Sequence, residues 1–128
     1  MFGVTEALLR SDKTTHLDFS NCNLGPPVAS SLASVLKLNC TLLHLNISRS
    51  PIGVDGAHEI SKALKSNRSL QYFGLRNVDL GADGSHAVSG VLKYNRSILH
   101  LDLSHNHIGY EGGGSKKLIK LKKTTTFN

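Results

Sequence analysis

The chain has 128 residues, the length of one domain or of one piece of a larger protein. Apolar residues make up 39% and aromatic residues 5%, with no Trp, so a core must be built from aliphatic side chains. The formal net charge is +6, but five of the fifteen Lys and Arg lie between Lys116 and Lys123. The rest of the chain is nearly neutral, which restricts any argument for nucleic acid or anionic membrane to that lysine run.

Cysteine content and hydropathy exclude two further classes. Two cysteines, Cys22 and Cys40, are too few for a disulfide framework. No basic stretch followed by an apolar one opens the chain as in a signal peptide. No apolar run approaches the roughly 20 residues that a membrane span requires. We therefore expect a cytoplasmic location and no membrane span.

The first predicted element is a helix over residues 1–13. Ala7 and Leu8 in it align with Ala63 and Leu64 of a later helix. Residues 1–14 are therefore predicted to form part of a repeat that has no strand of its own. Two interpretations stay open: a helical N-terminal cap, or the edge of a longer array.

Rows of 28 residues follow over residues 15–111, beginning at Thr15, Leu43, Gln71 and Leu99, and the first three align without a gap. One apolar column contains Leu17, Leu45, Phe73 and Leu101. A second contains Phe19, Ile47, Leu75 and Leu103, and a third, in which glycine always follows, contains Leu24, Ile52, Leu80 and Ile108. A fixed period of this length is typical of stacked repeats, each of which is too small to bury its apolar face alone.

Each row has two halves with different periodicity. The first half alternates apolar and polar residues, as in Leu45–Asn46–Ile47, and predicts a short strand. The second half has helical spacing, with apolar stripes at Ala29, Leu32, Val35 and Leu36, at Ala57, Ile60, Ala63 and Leu64, and at Ser85, Val88, Val91 and Leu92. The sequence thus predicts alternating strands and helices.

The fourth row loses the pattern after Glu111, and residues 112–128 form a degenerate segment rich in Gly and Lys. Two extra glycines in Gly112–Gly114 would restore the phase for Leu118 and Leu121. The segment is then a worn terminal unit whose lysines supply a polar outer face. The alternative is a tail that is foreign to the fold.

The rows resemble leucine-rich repeats, whose pattern is L-x-x-L-x-L-x-x-N/C-x-L. Row four matches all five positions with Ile98, Leu101, Leu103, Asn106 and Ile108. Row one has Cys22 at the Asn/Cys position, but rows two and three have Ser50 and Val78. Because valine offers no hydrogen bond to the backbone there, we expect a local defect or a bound water at that turn.

The row length and the phrases Gly53–Ala57 and Ala63–Leu70 resemble the ribonuclease-inhibitor-like subfamily. That subfamily includes ribonuclease inhibitor, the Ran GTPase-activating protein, the repeat regions of NOD-like receptors, tropomodulin and CARMIL. The resemblance implies an α/β fold, a right-handed leucine-rich-repeat solenoid with short parallel strands on the concave side and helices on the convex side.

The outward strand positions would form the concave face. Tyr and Arg are favoured anchors of protein interfaces, and this face contains both. We therefore predict a partner-binding surface of His44, Asn46, Arg49, Tyr72, Arg76, His100 and Asp102.

Other chemistries have less support in the sequence. His16 and His44 near Asp18 suggest a metal, but side chains on parallel strands rarely converge on a tetrahedral site. No G-x-S-x-G motif, phosphate-binding loop or Cys–His pair is present, so we expect no enzyme, no metal and no cofactor. The lysine run lacks interleaved aromatics, so no nucleic acid is expected. Asn39, Asn67 and Asn95 recur in N-x-S/T triplets, and we expect them to end helices in the left-handed conformation.

These predictions favour a protein–protein interaction module or scaffold, either a monomer or part of a longer repeat array. The resemblance leaves two alternatives: a small-GTPase regulator of the Ran-activating type, and an actin-regulatory scaffold fragment.

Overall fold

Strands and helices alternate along the chain in the computed structural model, which describes residues 13–22, 25–106 and 124–126. The strands are β1 (His16–Asp18), β2 (His44–Asn46), β3 (Tyr72–Gly74), β4 (His100–Asp102) and β5 (Thr124–Thr126). The helices are α1 (Pro26–Leu38), α2 (Gly53–Ser66) and α3 (Gly81–Val91). The helix predicted over residues 1–13 lies almost wholly outside the described residues.

The strands form one parallel sheet in chain order. Leu17 pairs with Leu45, Leu45 with Phe73, and Phe73 with Leu101. The predicted 28-residue register is therefore confirmed across the first four strands. Leu45, Phe73 and Leu101 are buried, and Leu17 packs against the same core from the first strand.

The helices bury the predicted apolar stripes against the sheet. All twelve stripe residues are at most 4% exposed. The α2 stripe is completely buried: Ala57, Ile60, Ala63 and Leu64 have no accessible surface. Burying an aliphatic side chain contributes about 1.5–3 kcal/mol, so this shared core is what drives the units together.

Glycine and acidic residues define where α2 and α3 begin. Gly53 and Gly81 have φ of +72° and +65°, a region that L side chains rarely adopt. Asp55 and Asp83 lie in the first helical turns, where their charge favours the positive end of the helix dipole, and neither caps the helix by a hydrogen bond. Helix α1 instead begins with proline.

The recurring asparagines end the helices differently from our prediction. Asn39 and Asn67 have φ of −78° and −72° and are extended, so the predicted left-handed conformation is wrong for both. Their side chains instead form hydrogen bonds with backbone groups. Asn67 Nδ2 donates to Leu36 O at 2.9 Å, in the preceding unit, and its Oδ1 accepts from Leu70 N at 2.8 Å. Asn95 repeats this with Leu64 O at 2.8 Å.

Another asparagine, Asn106, forms similar hydrogen bonds at the turn after a strand. Asn106 Nδ2 donates to Leu75 O at 2.6 Å, and its Oδ1 accepts from Val78 N at 2.8 Å, both in the preceding unit. Val78 occupies the equivalent position one unit earlier and has no polar side-chain atom. The turn that it faces contains Ser50, whose buried Oγ has no hydrogen-bond partner among the described residues. The predicted defect in the backbone hydrogen bonds of this turn stays a prediction.

The last strand arrives early. Successive strands β1 to β4 begin 28 residues apart, at 16, 44, 72 and 100, whereas β5 begins at 124. Thr124–Thr126 pair in parallel register with His100–Asp102, so this part of the C-terminal segment continues the sheet. The predicted return of Leu118 and Leu121 to the repeat phase falls on residues 107–123, outside the described residues.

The defect predicted at Val78 leads to a stability test with a matched control. We expect Val78→Asn to keep the free energy of unfolding within about 1 kcal/mol of wild type. The new side chain reaches the backbone groups that Asn106 reaches one unit later, and this offsets the lost apolar burial. Val88→Asn, at an equally buried helix position without such partners, should cost about 3 kcal/mol or more. Urea denaturation measures both values, and equal losses would contradict the assignment.

Candidate functional site

Four rings line up along the concave face, one from each of the first four strands. The centroids of His16 and His44 are 5.4 Å apart, those of His44 and Tyr72 4.2 Å, and those of Tyr72 and His100 5.0 Å. The interplanar angles of 21°, 11° and 9° make each pair stacked. This ring column follows from the parallel register, which places equivalent side chains about 4.8 Å apart.

Packing within the column changes the titration of its members. Burial, and then the neighbouring His16, lower the pKa of His44 below that of an ordinary histidine, against a smaller opposite effect of Asp18. Burial raises the pKa of Tyr72, and the carboxylates of Asp102 and Asp18 raise it further. Tyr72 therefore stays a neutral phenol that can donate a hydrogen bond.

The adjacent column on the same face consists of Asp18, Asn46, Gly74 and Asp102. Turns at the strand ends fix the side chains of this column. Ser48 N donates to Asn46 Oδ1 at 3.0 Å, and Ser104 N donates to Asp102 Oδ1 at 3.0 Å. Such turns, in which an Asx side chain accepts from the backbone two residues on, fix the side chain against its own strand. A hydrogen bond from the Ser20 side chain, and then the same backbone bond from Ser20 N, lower the pKa of Asp18.

Gly74 stands where Asp18, Asn46 and Asp102 stand on the other strands, and the Asn46 side chain fills the space it leaves. A Cβ at Gly74 would lie 2.5 Å from Asn46 Oδ1 and 3.2 Å from Tyr72 Cε1. The small residue thus permits Asn46 and Tyr72 to share this part of the face.

A third set of concave residues adopts the left-handed conformation, which our sequence reasoning missed. The φ values are +60°, +65°, +53° and +58° for Asn21, Arg49, Asn77 and His105. The two asparagines were the available signal, because Asn tolerates this region better than most residues. Arg49 is the member of the column least suited to it by side-chain type.

These columns enclose an open depression of about 270 Å³, lined by Ser20, Asn21, Asn46, Ser48, Arg49, Tyr72, Arg76 and Asp102. Five of the seven predicted binding residues therefore line one depression: Asn46, Arg49, Tyr72, Arg76 and Asp102. The other two, His44 and His100, stack on the two faces of Tyr72. The structure thus brings all seven together, with the ring column along one side.

Other features of the described residues offer less chemistry. A depression of about 450 Å³ on the helical side is lined by Pro27, Ser30, Asp55, Gly56, His58 and Glu59. Within residues 13–22, 25–106 and 124–126, no three His, Cys, Asp or Glu side chains are grouped as metal ligands would be. No helix in the same ranges is long and apolar enough to cross a membrane. Cys22 and Cys40 are exposed free thiols.

A parallel sheet backed by helices, with an open polar face, defines a solenoid of the kind that serves as a protein-interaction module. Leucine-rich-repeat family models match residues 13–35, 38–61 and 94–115, more than half of the chain in all. The chain belongs to the leucine-rich-repeat family.

The solved structure of leiomodin-1 actin-binding site 2 has the same fold. It superposes with a TM-score of 0.88 and covers 97% of this chain and 76% of its own length, at 15% sequence identity. At that identity the likeness establishes the α/β solenoid alone. No curated protein matches the chain.

The contact at Gly74 predicts opposite effects for two glycine substitutions. Gly74→Ala should lower the free energy of unfolding by about 1 kcal/mol, because the added methyl group displaces the Asn46 carboxamide from its bond with Ser48 N. Gly90→Ala is the control: a Cβ there meets no neighbour, and a helical Gly→Ala change should add about 0.5–1 kcal/mol. Chemical denaturation distinguishes the two. An increase in the free energy of unfolding for both variants would show that Asn46 and Tyr72 can move aside for a methyl group at position 74.

The lowered pKa of His44 predicts less stability in acid. The folded state binds fewer protons than the unfolded state as the pH falls through the ordinary histidine pKa, so the free energy of unfolding decreases over that interval. His44→Gln should show a smaller decrease. His58→Gln, which replaces an exposed histidine of α2, should retain the wild-type pH dependence. Urea midpoints across this range measure it, and an unchanged decrease in His44→Gln would assign the effect elsewhere.

Proposed function

We propose that the chain binds a partner protein through its concave face. The residues in contact are the seven that surround the depression: His44, Asn46, Arg49, Tyr72, Arg76, His100 and Asp102. The observation that carries the proposal is the convergence of a stacked tyrosine and two arginines on one open depression. These residue types contribute most of the binding energy in many protein interfaces.

The order of this face supports the proposal. Tyr72 is held between two histidine rings and is only partly exposed. Asn46 and Asp102 are fixed by hydrogen bonds from the backbone. Side chains that are ordered before binding lose less conformational entropy when the partner arrives, so more of the contact energy appears as affinity.

The partner we propose is actin or a protein that assembles with it. The support is the likeness to the leiomodin-1 domain known as actin-binding site 2. The resemblance to the Ran GTPase-activating protein keeps the GTPase regulator as the alternative function, although nothing in the described residues favours it. A cytoplasmic location is part of the same proposal.

Co-sedimentation with filamentous actin tests this function. We expect the wild-type chain to pellet with filaments and Tyr72→Ala/Arg76→Ala to lose at least about tenfold in affinity, because two interface anchors are removed. The matched control is Tyr94→Ala/Arg68→Ala, which removes the same residue types at exposed positions outside the depression.

Melting temperatures establish that both variants are folded. Equal binding by the wild type and the Tyr72→Ala/Arg76→Ala variant would refute the assigned face. Absence of wild-type binding to filaments and to monomeric actin would refute the actin proposal. Faster GTP hydrolysis by Ran on addition of the chain would then support the alternative.

A further inference from the structure

Two guanidinium groups on the concave face form no ion pair within the part of the chain that the structure describes. Arg49 and Arg76 both line the depression beside Tyr72 and both are exposed. Neither side chain forms a hydrogen bond or ion pair with another described residue. Asp102 lines the same depression without pairing with either guanidinium, and its Oδ1 accepts from Ser104 Oγ at 2.6 Å and from Ser104 N at 3.0 Å.

The backbone holds the two arginines next to each other. Arg49 N donates to Arg76 O at 2.8 Å, which ties the turn of one unit to the turn of the next. Arg76 N donates to Ser48 Oγ at 3.0 Å. Because Ser48 Oγ accepts this bond, its hydroxyl hydrogen is left to donate to a further acceptor. The depression therefore presents two guanidinium groups and a hydroxyl donor together.

The conformation of Arg49 points in the same direction. Its φ of +65° lies in the left-handed region, where non-glycine residues are uncommon, and Asn occupies that position in two of the other units. Asparagine at position 49 would adopt this left-handed conformation with less strain than arginine does. Backbone held in sparsely populated regions is found disproportionately at functional sites. The backbone conformation at position 49 therefore does not account for the choice of arginine.

We propose that this depression is an oxyanion site that takes a carboxylate or phosphate group of a peptide segment in the partner. The proposal deepens the proposed function and rests on it for the identity of the face. Arginine suits the task because its planar guanidinium can donate two parallel hydrogen bonds to a carboxylate or phosphate. The open shape admits a side chain presented by a protein segment, and Tyr72 borders the same space.

Three capped five-residue peptides that differ only at their central residue test the site, with Glu, phosphoserine or Gln at the centre. Each is titrated into the full chain at constant ionic strength, and binding is followed by NMR through the backbone amide signals and the arginine side-chain Nε–H signals. We expect the Glu or the phosphoserine peptide to bind at least about tenfold more tightly than the Gln peptide, which is the effect of losing one charge-assisted contact.

Arg49→Asn/Arg76→Gln should abolish this difference, and Arg49→Asn is expected to leave the fold intact because Asn fits the left-handed turn. The matched control is Lys37→Gln/Lys62→Gln, which removes the same charge from exposed positions on α1 and α2. Arg76→Gln alone serves if the double variant unfolds. Preference for Glu or for phosphoserine identifies the acidic group, and either supports the site.

Equal binding of all three peptides would overturn the proposal. So would an equal loss in the lysine control, or signals that move only in the run from Lys116 to Lys123. Because the peptides contain no actin, their binding can succeed while co-sedimentation fails. The oxyanion site and the actin assignment are thus refuted by different results.

Discussion

Each unit of this solenoid depends on the next one to satisfy its buried backbone. Apolar burial brings the units together, but a carbonyl at the end of a helix has no partner within its own unit. Asn67 and Asn95 reach back to Leu36 O and Leu64 O, and Asn106 reaches back to Leu75 O. An unpaired buried carbonyl costs about 1–3 kcal/mol, so these side chains fix the spacing that the core alone leaves loose. The parallel register of the strands is consistent with that spacing.

The architecture was predictable from the sequence because its cause is periodic. A core column that repeats every 28 residues fixes which residues pair across the strands, as Leu45, Phe73 and Leu101 show. What the pattern could not provide was the role of a polar residue that repeats with the same period. Asn67 and Asn95 look like helix-ending residues in one unit, and only the stacking of two units reveals that they bind the neighbour. The early start of β5 was equally hidden, because its row has lost the pattern.

Some features of the candidate site were also predictable from the sequence, and others were not. Alternation along each strand predicts which side chains face outward, so the ring column and all seven proposed contact residues could be named. The left-handed column could not, because Arg49 gives no local signal of a positive φ. The contact between Gly74 and Asn46 also depends on two strands being side by side. Sequence reasoning therefore located the face but not the depression within it.

The bonds that Asn67, Asn95 and Asn106 donate to Leu36 O, Leu64 O and Leu75 O run in one direction along the chain. Each of these three bonds links a side chain to the unit before it. The stack therefore has a polarity that its nearly symmetric core does not. Loss of a unit from the C-terminal side removes the donor to a helix-end carbonyl of its predecessor, whereas loss from the N-terminal side removes the acceptor of an asparagine amide. The two ends of such an array are unequal as places to add or remove a repeat.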